Sequence, residues 1–578
     1  MATVMPTDRG TRRTVRRARP ATRTRPDTMT RANDLRRRPS PPHGSTAPAS
    51  PATPAALASR VSPLRGACLA ALGLAAAIAH APSAAQESGG AAGSRSGFSV
   101  TPRVSVSETW SDNLDLSSGS ARDRGFITAV SPGVTISSGR GAIRGTFDYT
   151  LDGILYTKSD RDARLQNQLS TRITAELVPS ALFVDVAGDI SQQSISAFGQ
   201  QSPDNKLDSS NRTETRMLQV SPYWRGRLGS FAGFELRAMG QMRDSSDGGT
   251  GAAGGSGDSK QGTLSLNLFG PVGRELNWGL NASTTRMHFE QTSVDYRTTS
   301  VLGSLNWTPD IDWTVGLTGG RERSDFFGPE TTSVYGANLR WSPGPRTKFA
   351  AEWQHHSYGD SHNITFDHRM AQFSLRANSS QNVSTGETPT QATNYQLLDL
   401  QFSSLEPDPV KRDAFVRATL ASLGLNPNSF SGAGFLSNTA SLQRRSEVSM
   451  IWTGPRLTIT LSGNDNKNRR LINSSLGVGS GDLALTDRVR QRGATVSMGY
   501  KLTPLANANV SYTRQNSRGD GGGVGSNDMR TLAANATYRL GPRTDASFGL
   551  RQTKFDDTGL FATSYQEHAI YASLTQRF

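Results

Sequence analysis

Apolar and polar residues alternate in stretches of about ten from Phe98 to the last residue. That is the length a tilted strand needs to cross a bilayer with one face in lipid and the other in water. Phe98, Val100, Pro102, Val104, Val106 and Trp110 share one parity. Phe126, Thr128, Val130, Pro132, Val134 and Ile136 share the next. Beyond an SSGRG turn, Ile143, Phe147, Tyr149, Leu151 and Leu155 follow, interrupted on the opposite parity by Arg144, Asp148 and Asp152. Similar runs occupy 169–177, 182–190, 299–307, 335–341, 494–502 and 532–540. The last stretch, HAIYASLTQRF, alternates Ile570, Ala572 and Leu574 with small or polar residues and stops on Phe578. It suits a closing strand, because an open edge in lipid leaves backbone groups unpaired at several kcal/mol each.

The connections alternate in kind. Short ones carry Pro or Gly, as at 137, 178, 225, 270, 308, 342, 453, 503 and 541. Between them run longer polar loops such as 192–212, 243–260 and 516–528. Short turns on one side and long loops on the other are the habit of outer-membrane barrels. Trp224, Trp278, Trp307, Trp313, Trp341 and Trp452 all sit near short turns, as an aromatic belt at one membrane face requires; Trp110 and Trp353 do not. The gap from 344 to 454 predicts one further short turn near Asn378 to Gln391 and an upward strand around Thr393 to Phe402. Ten short turns then predict an all-β, antiparallel transmembrane β-barrel of about 22 strands, an even number in the range 18–24, spanning 98–578 with one helical insertion.

No apolar run approaches the ~20 residues of a spanning helix. The formal charge of +15 suggests nucleic acid only until it is located. Residues 1–85 hold 14 Arg and 3 Asp, which leaves 63−14=49 basic against 48−3=45 acidic residues, about +4, and no argument for nucleic acid. Residues 1–60 read as a disordered basic extension, which a mis-assigned start would explain. Residues 61–85 read as a signal peptide: Arg65 leads, Ala67 to Ala79 form the apolar core, and cleavage falls after Ala85. Residues 86–97 form a linker. The one cysteine, Cys68, lies inside the signal, so the exported chain uses no disulfides.

Residues 403–436 break the alternation. Asp408-Pro409 supplies an N-cap and a first-turn proline, and Val410, Phe415, Leu420 and Leu423 follow at helical spacing up to Gly424. This amphipathic helix is either a plug folded into the lumen or a cap on an external loop.

Candidate chemistry is sparse. No nucleophile elbow, phosphate loop or zinc motif occurs, so no catalytic residue and no cofactor is expected, and the chain reads as a non-enzyme. His355, His356, His362 and His368 span one external hairpin; they are either a metal cluster or loop filler. Arg144, Asp148, Asp152, Arg172 and Glu176 are expected to line the lumen as mixed-sign salt-bridge networks rather than a selectivity ring of one sign. No stacked aromatic and arginine ladder for a sugar chain is visible.

SVSETWSDNLDL (105–116), ITAVSPGVTIS (127–137) and FDYTLDGILYTKS (147–159) resemble the PEP-CTERM system-associated outer-membrane proteins. YQLLDLQFSSLEPDPVKRDAFVRATLASLGLNP (395–427) is similar to that family's helical insertion. The resemblance implies a barrel found with exopolysaccharide and protein-sorting systems, hence a role in the envelope such as polysaccharide passage. The expected location is the outer membrane of a Gram-negative bacterium. Expected partners are membrane lipid and lipopolysaccharide, the barrel assembly machinery through Phe578, and polysaccharide export components. The function expected is an outer-membrane channel; the alternatives are a non-conducting structural or adhesive barrel and an outer-membrane hydrolase.

Overall fold

The computed structural model describes residues 97–578, except 120–121, 158–161, 208, 246–257, 272–274, 291–293, 327–328, 438, 472–480, 521–524 and 559–562. Of 385–434 it describes only Tyr395 and Val416, both helical. The regions read as extension, signal and most of the linker therefore lie outside the described residues.

The strands follow in chain order: β1 (Phe98–Ser111), β2 (Gly125–Ser138), β3 (Ile143–Thr157), β4 (Arg164–Val178), β5 (Leu182–Ser194), β6 (Arg212–Leu228) and β7 (Ala232–Ser245). Next come β8 (Ser259–Phe269), β9 (Leu276–Phe289), β10 (Val294–Asp310), β11 (Trp313–Ser324), β12 (Glu330–Gly344), β13 (Thr347–His356), β14 (Gly359–Arg369) and β15 (Phe373–Ser384). The series ends with β16 (Ser441–Thr453), β17 (Leu457–Arg470), β18 (Arg488–Thr503), β19 (Ala506–Gly519), β20 (Ser526–Gly541), β21 (Thr544–Asp557) and β22 (Tyr565–Arg577). One short helix, α1 (Asp482–Leu485), precedes β18.

Each strand pairs antiparallel with the next, and β22 pairs with β1 in the register Val106↔Leu574 and Trp110↔Ile570. The sheet is thus a closed barrel of 22 strands. Closure is what lets this backbone sit in lipid, because every ladder group finds a neighbour. Outward positions carry apolar side chains that water would not tolerate in such numbers: Leu165 is 72 % exposed, Leu317 66 % and Val448 51 %. Tryptophans gather on the short-turn side, where Trp313 packs at a tilt on Trp341 at 5.6 Å and Trp278 packs on Phe231 at 5.3 Å.

One turn is elsewhere than predicted. The connection between β14 and β15 is 370–372, where the Met370 N–H donates to the Phe373 carbonyl at 2.7 Å. Met-Ala-Gln carries no Gly or Pro, the residues that mark a turn in sequence. Residues 378–384, read as the turn, continue β15, which pairs directly with β16. Of the upward strand expected at 393–402 only Tyr395 is described, and it is helical; the rest lies outside the described residues. The strand number survives because the missing short turn does exist, about ten residues earlier than placed.

Candidate functional site

Inside the barrel the side chains opposite the apolar belt form the candidate site. The predicted lumen residues fall on this inner face. At the short-turn mouth Arg144 pairs with Glu176 at 3.0 Å. Arg172 stands opposite Thr146 of β3, on the same face and exposed. Deeper in, Arg103 grips Asp148 with both guanidinium nitrogens, at 2.8 and 3.1 Å, and donates to Thr135 and Thr150 at 2.6 Å each. Asp152 accepts from Gln168. Arg144, Asp148 and Glu176 are each paired with an opposite charge, and the five residues are of mixed sign, so they make no single-sign ring.

A stack that no sequence signal revealed stands beside them. Phe183 of β5 and Tyr223 of β6 lie parallel at 5.1 Å. Arg225 covers the Phe183 ring at 4.2 Å and Arg237 covers the Tyr223 ring at 3.9 Å. Arg237 is held by Asp185 at 2.9 Å and Glu235 at 3.1 Å. The rings come from strands forty residues apart and meet only through the register Phe183↔Tyr223. No ladder of this kind is visible in the sequence, and the register supplies this single stack.

Neutral amides line much of the remaining wall. Asn281 donates to Asn267 at 2.6 Å, Asn338 to Asn306 at 3.0 Å, and Asn509 to Asn535 at 3.3 Å. The Asn306–Asn338 bond crosses over Gly316, where a β-carbon would lie 2.0 Å from Asn306 Oδ1, so only glycine fits beneath it. Further round, amide atoms of Asn378, Asn466, Asn468 and Gln491 are buried with no protein partner. Such atoms cost about 1–3 kcal/mol each unless water or a solute bonds them.

The principal feature of the lumen is the connection between β5 and β6, residues 195–211, which folds inward instead of standing clear. Lys206 Nζ donates to Ser107 Oγ of β1 at 2.5 Å, four residues below the strand's outer end, so the loop reaches about 13 Å down the wall at ~3.3 Å per residue. Tyr156 donates to the Lys206 carbonyl, Gln166 to that of Asn205, and Tyr565 to that of Gln201, at 2.7, 3.1 and 2.6 Å. Leu207 fills an apolar pocket made by Leu114, Ile127, Ile154, Phe555 and Tyr565.

Two carboxylates lock the loop. Asp204 Oδ2 lies 3.0 Å from Arg551 Nη1, while the other arm of Arg551 holds Glu567, fully buried in β22, at 2.8 Å. Burial works to raise the Asp204 carboxyl, but the charges of Arg551 and Lys206 outweigh it and hold the group at about 2. Asp482 of α1 accepts from Ser196 Oγ at 2.6 Å and the Ala197 N–H at 2.5 Å. Burial pushes it up to about 6 against those two bonds. Ala197 and Phe198 pack on Leu483, Val489 and Phe435.

The residues expected to plug the lumen, Val410, Phe415, Leu420 and Leu423, lie outside the described residues. Beside them, Val416 is helical and fully buried. The insertion's far flank reaches the end of β5, where the Leu436 N–H donates to the Ser194 carbonyl at 3.2 Å, and Phe435 joins the cluster of Ala197 and Phe198 in the inward loop. Residues 195–211, which read in sequence as an ordinary loop, make lumen contacts across as many as 364 residues of sequence.

The four hairpin histidines do not converge. His368 pairs with Thr347 at the short-turn end of β13 and β14, while His356 pairs with Gly359 at the other. Consecutive residues of a strand point to opposite faces. His355 bonds Asp360 and stacks on the outward Tyr335, whereas His356 turns inward to Glu322 at 3.0 Å. His362 bonds Ser379 at 3.1 Å. Among the described residues no group of His, Cys, Asp and Glu is placed to hold a metal.

A closed 22-stranded barrel with an apolar outer belt is an outer-membrane protein of a Gram-negative bacterium. No family model and no curated protein matches the chain. Solved structures do. The FrpB iron transporter of Neisseria meningitidis in its apoprotein form is 11 % identical with a TM-score of 0.45, covering 84 % of this chain and 82 % of that one. The siderophore receptor PirA of Pseudomonas aeruginosa is 10 % identical with a TM-score of 0.41, covering 83 % and 80 %. The barrel rests on this chain's own strand pairing, independently of these similarities.

Proposed function

We propose that the chain is a gated outer-membrane conduit for a hydroxyl-rich, largely uncharged solute, and that its cargo is envelope polysaccharide. The carrying observation is the amide-lined inner wall, in which Asn466, Asn468 and Gln491 present unpaired polar atoms. Hydroxyls can satisfy such atoms without the desolvation cost that a charged cargo would meet. The locally neutralised pairs Arg103–Asp148 and Arg144–Glu176 leave little net field to select ions. In this reading the loop 195–211 is the gate. The link to an exopolysaccharide and PEP-CTERM sorting system rests on the sequence resemblance.

The experiment is single-channel conductance of 86–578 in a planar bilayer. Steady current, blocked reversibly by a neutral polysaccharide and not by a polyanion of equal size, is expected. Block by the polyanion alone would overturn the cargo class. A second reading is a non-conducting structural barrel, favoured by the buried Asp204–Arg551–Glu567 lock. A sealed membrane, from protein whose heat-modifiable gel mobility shows it folded, and which stays sealed when residues 200–209 are removed, would select it.

A further inference from the structure

The outer face of the barrel is uniform in its belt but not at its extracellular end. On β17 to β21 the apolar belt reaches Leu461, Val496, Tyr512, Leu532 and Leu550. Above it, on the same outward parity, the side chains become cationic. Arg444, Lys467, Arg490 and Arg518 stand directly opposite one another on four adjacent strands. Two outward positions lower, Arg514, Arg530 and Lys554 form a second row on three strands. Arg469 and Arg488 pair above, and Arg492 lies between the rows. The equivalent outward positions of β1 to β3 are Glu108, Trp110, Phe126 and Leu155, while Lys260, Arg286, Arg297, Arg321 and Arg323 of β8 to β11 are outward cations in a less continuous arrangement.

Carboxylates on this face are too few to neutralise it. Asp465 serves both Arg490 and Arg492, at 2.7 and 3.4 Å. Asp528 serves both Arg514 and Arg530, at 2.5 and 2.9 Å. Asp520 takes Arg488 at 2.7 Å and Asp556 takes Lys554 at 3.1 Å. Like charges directly opposite in an antiparallel pair destabilise it. A row of four, reached by the one carboxylate of Asp465, would gain from an anion bound across it.

The height of the rows identifies that anion. They begin where the apolar belt ends, at the level of the polar headgroups of the outer leaflet. Neighbouring strands lie ~4.8 Å apart, so one phosphate can bridge two guanidinium or ammonium groups of a row. A guanidinium meets phosphate oxygens in pairs, a geometry a zwitterionic choline headgroup offers less freely. We infer that the outward rows of β16 to β21 form a binding site for the phosphates of the outer leaflet's phosphorylated glycolipid. The source is the membrane itself, not free phosphate.

The test uses the full barrel purified in neutral detergent, with bis-phosphorylated lipid A, the same lipid dephosphorylated, and inorganic phosphate as probes. Native mass spectrometry should show at least tenfold tighter binding of the phosphorylated lipid. The triple variant Lys467→Gln, Arg490→Gln, Arg518→Gln should lose that preference while keeping its heat-modifiable mobility. Should the triple variant not fold, Lys467→Gln alone and the two-lipid comparison on the unaltered protein still decide. Equal binding of both lipids, an unchanged preference in the variant, or displacement by equimolar inorganic phosphate would each overturn the inference.

Discussion

Arg551 illustrates how much a single side chain can hold in this lumen. It bridges the wall carboxylate Glu567 and the loop carboxylate Asp204, and all three are largely withdrawn from water. Removing one partner of a buried pair leaves the other uncompensated, at about 3–5 kcal/mol. Arg551→Gln should therefore lower the denaturant midpoint sharply, whereas Arg144→Gln, whose pair is half exposed, should cost within about 1 kcal/mol. Comparable midpoints for the two variants would show that the lock bears no load. Gly316 offers a second residue-level check. Gly316→Ala should break the Asn306–Asn338 bond and lower the midpoint, while Gly319→Ala, with open space around its β-carbon, should not. The lumen positions 144, 148, 152, 172 and 176 were legible from parity alone, because a strand's two faces are fixed by its period. Their partners were not: Arg103 reaches Asp148 across two strand interfaces.

At the scale of elements, the loop 195–211 is held by groups that answer pH in opposite ways. Asp482 binds its proton more tightly when the loop is docked, since burial raises it from 3.8 to about 6. Docking is thus favoured as pH falls through about 6 toward 3.8, and weaker above it. Asp204 is held at about 2, so its contribution is constant above 3.8 and is lost only as pH falls toward 2. Between 3.8 and 6 Asp482 decides, and conductance should fall as the solution is acidified. Asp482→Asn should flatten that dependence; a slope unchanged by the substitution would remove Asp482 from the gate. Deleting residues 200–209 should raise conductance at every pH. The insertion is legible in the sequence because its alternation fails, whereas 195–211 is polar and looks like any external loop. Its inward course depends on contacts with β1, β3, β4 and β20 to β22, which are distant in sequence.

For the molecule as a whole, the lipid belt sets which substitutions are tolerated. Val301 lies outward near the middle of β10, and Ser300 inward beside it, where it bonds Ser283 at 2.9 Å. Val301→Arg, which would stand opposite the outward Arg321, should cost about 1–2 kcal/mol in a bilayer refolding equilibrium, between the interfacial and midplane costs of a cation. Ser300→Arg, facing the polar lumen, should cost less; the reverse order would mean the sheet's faces are exchanged.

The sequence by itself determined the architecture: alternation fixes two-faced strands, turn lengths fix the two sides, and the pairing that lipid demands requires closure. It determined an even strand number near 22 even with one turn misplaced, because a hairpin adds two strands wherever its turn falls. Only the tertiary structure decided what fills and surrounds the barrel. The Phe183–Tyr223 stack, the Asp204 and Asp482 locks and the cation rows of β16 to β21 all depend on register between strands. Register places residues tens to hundreds of positions apart side by side, and no local pattern encodes that.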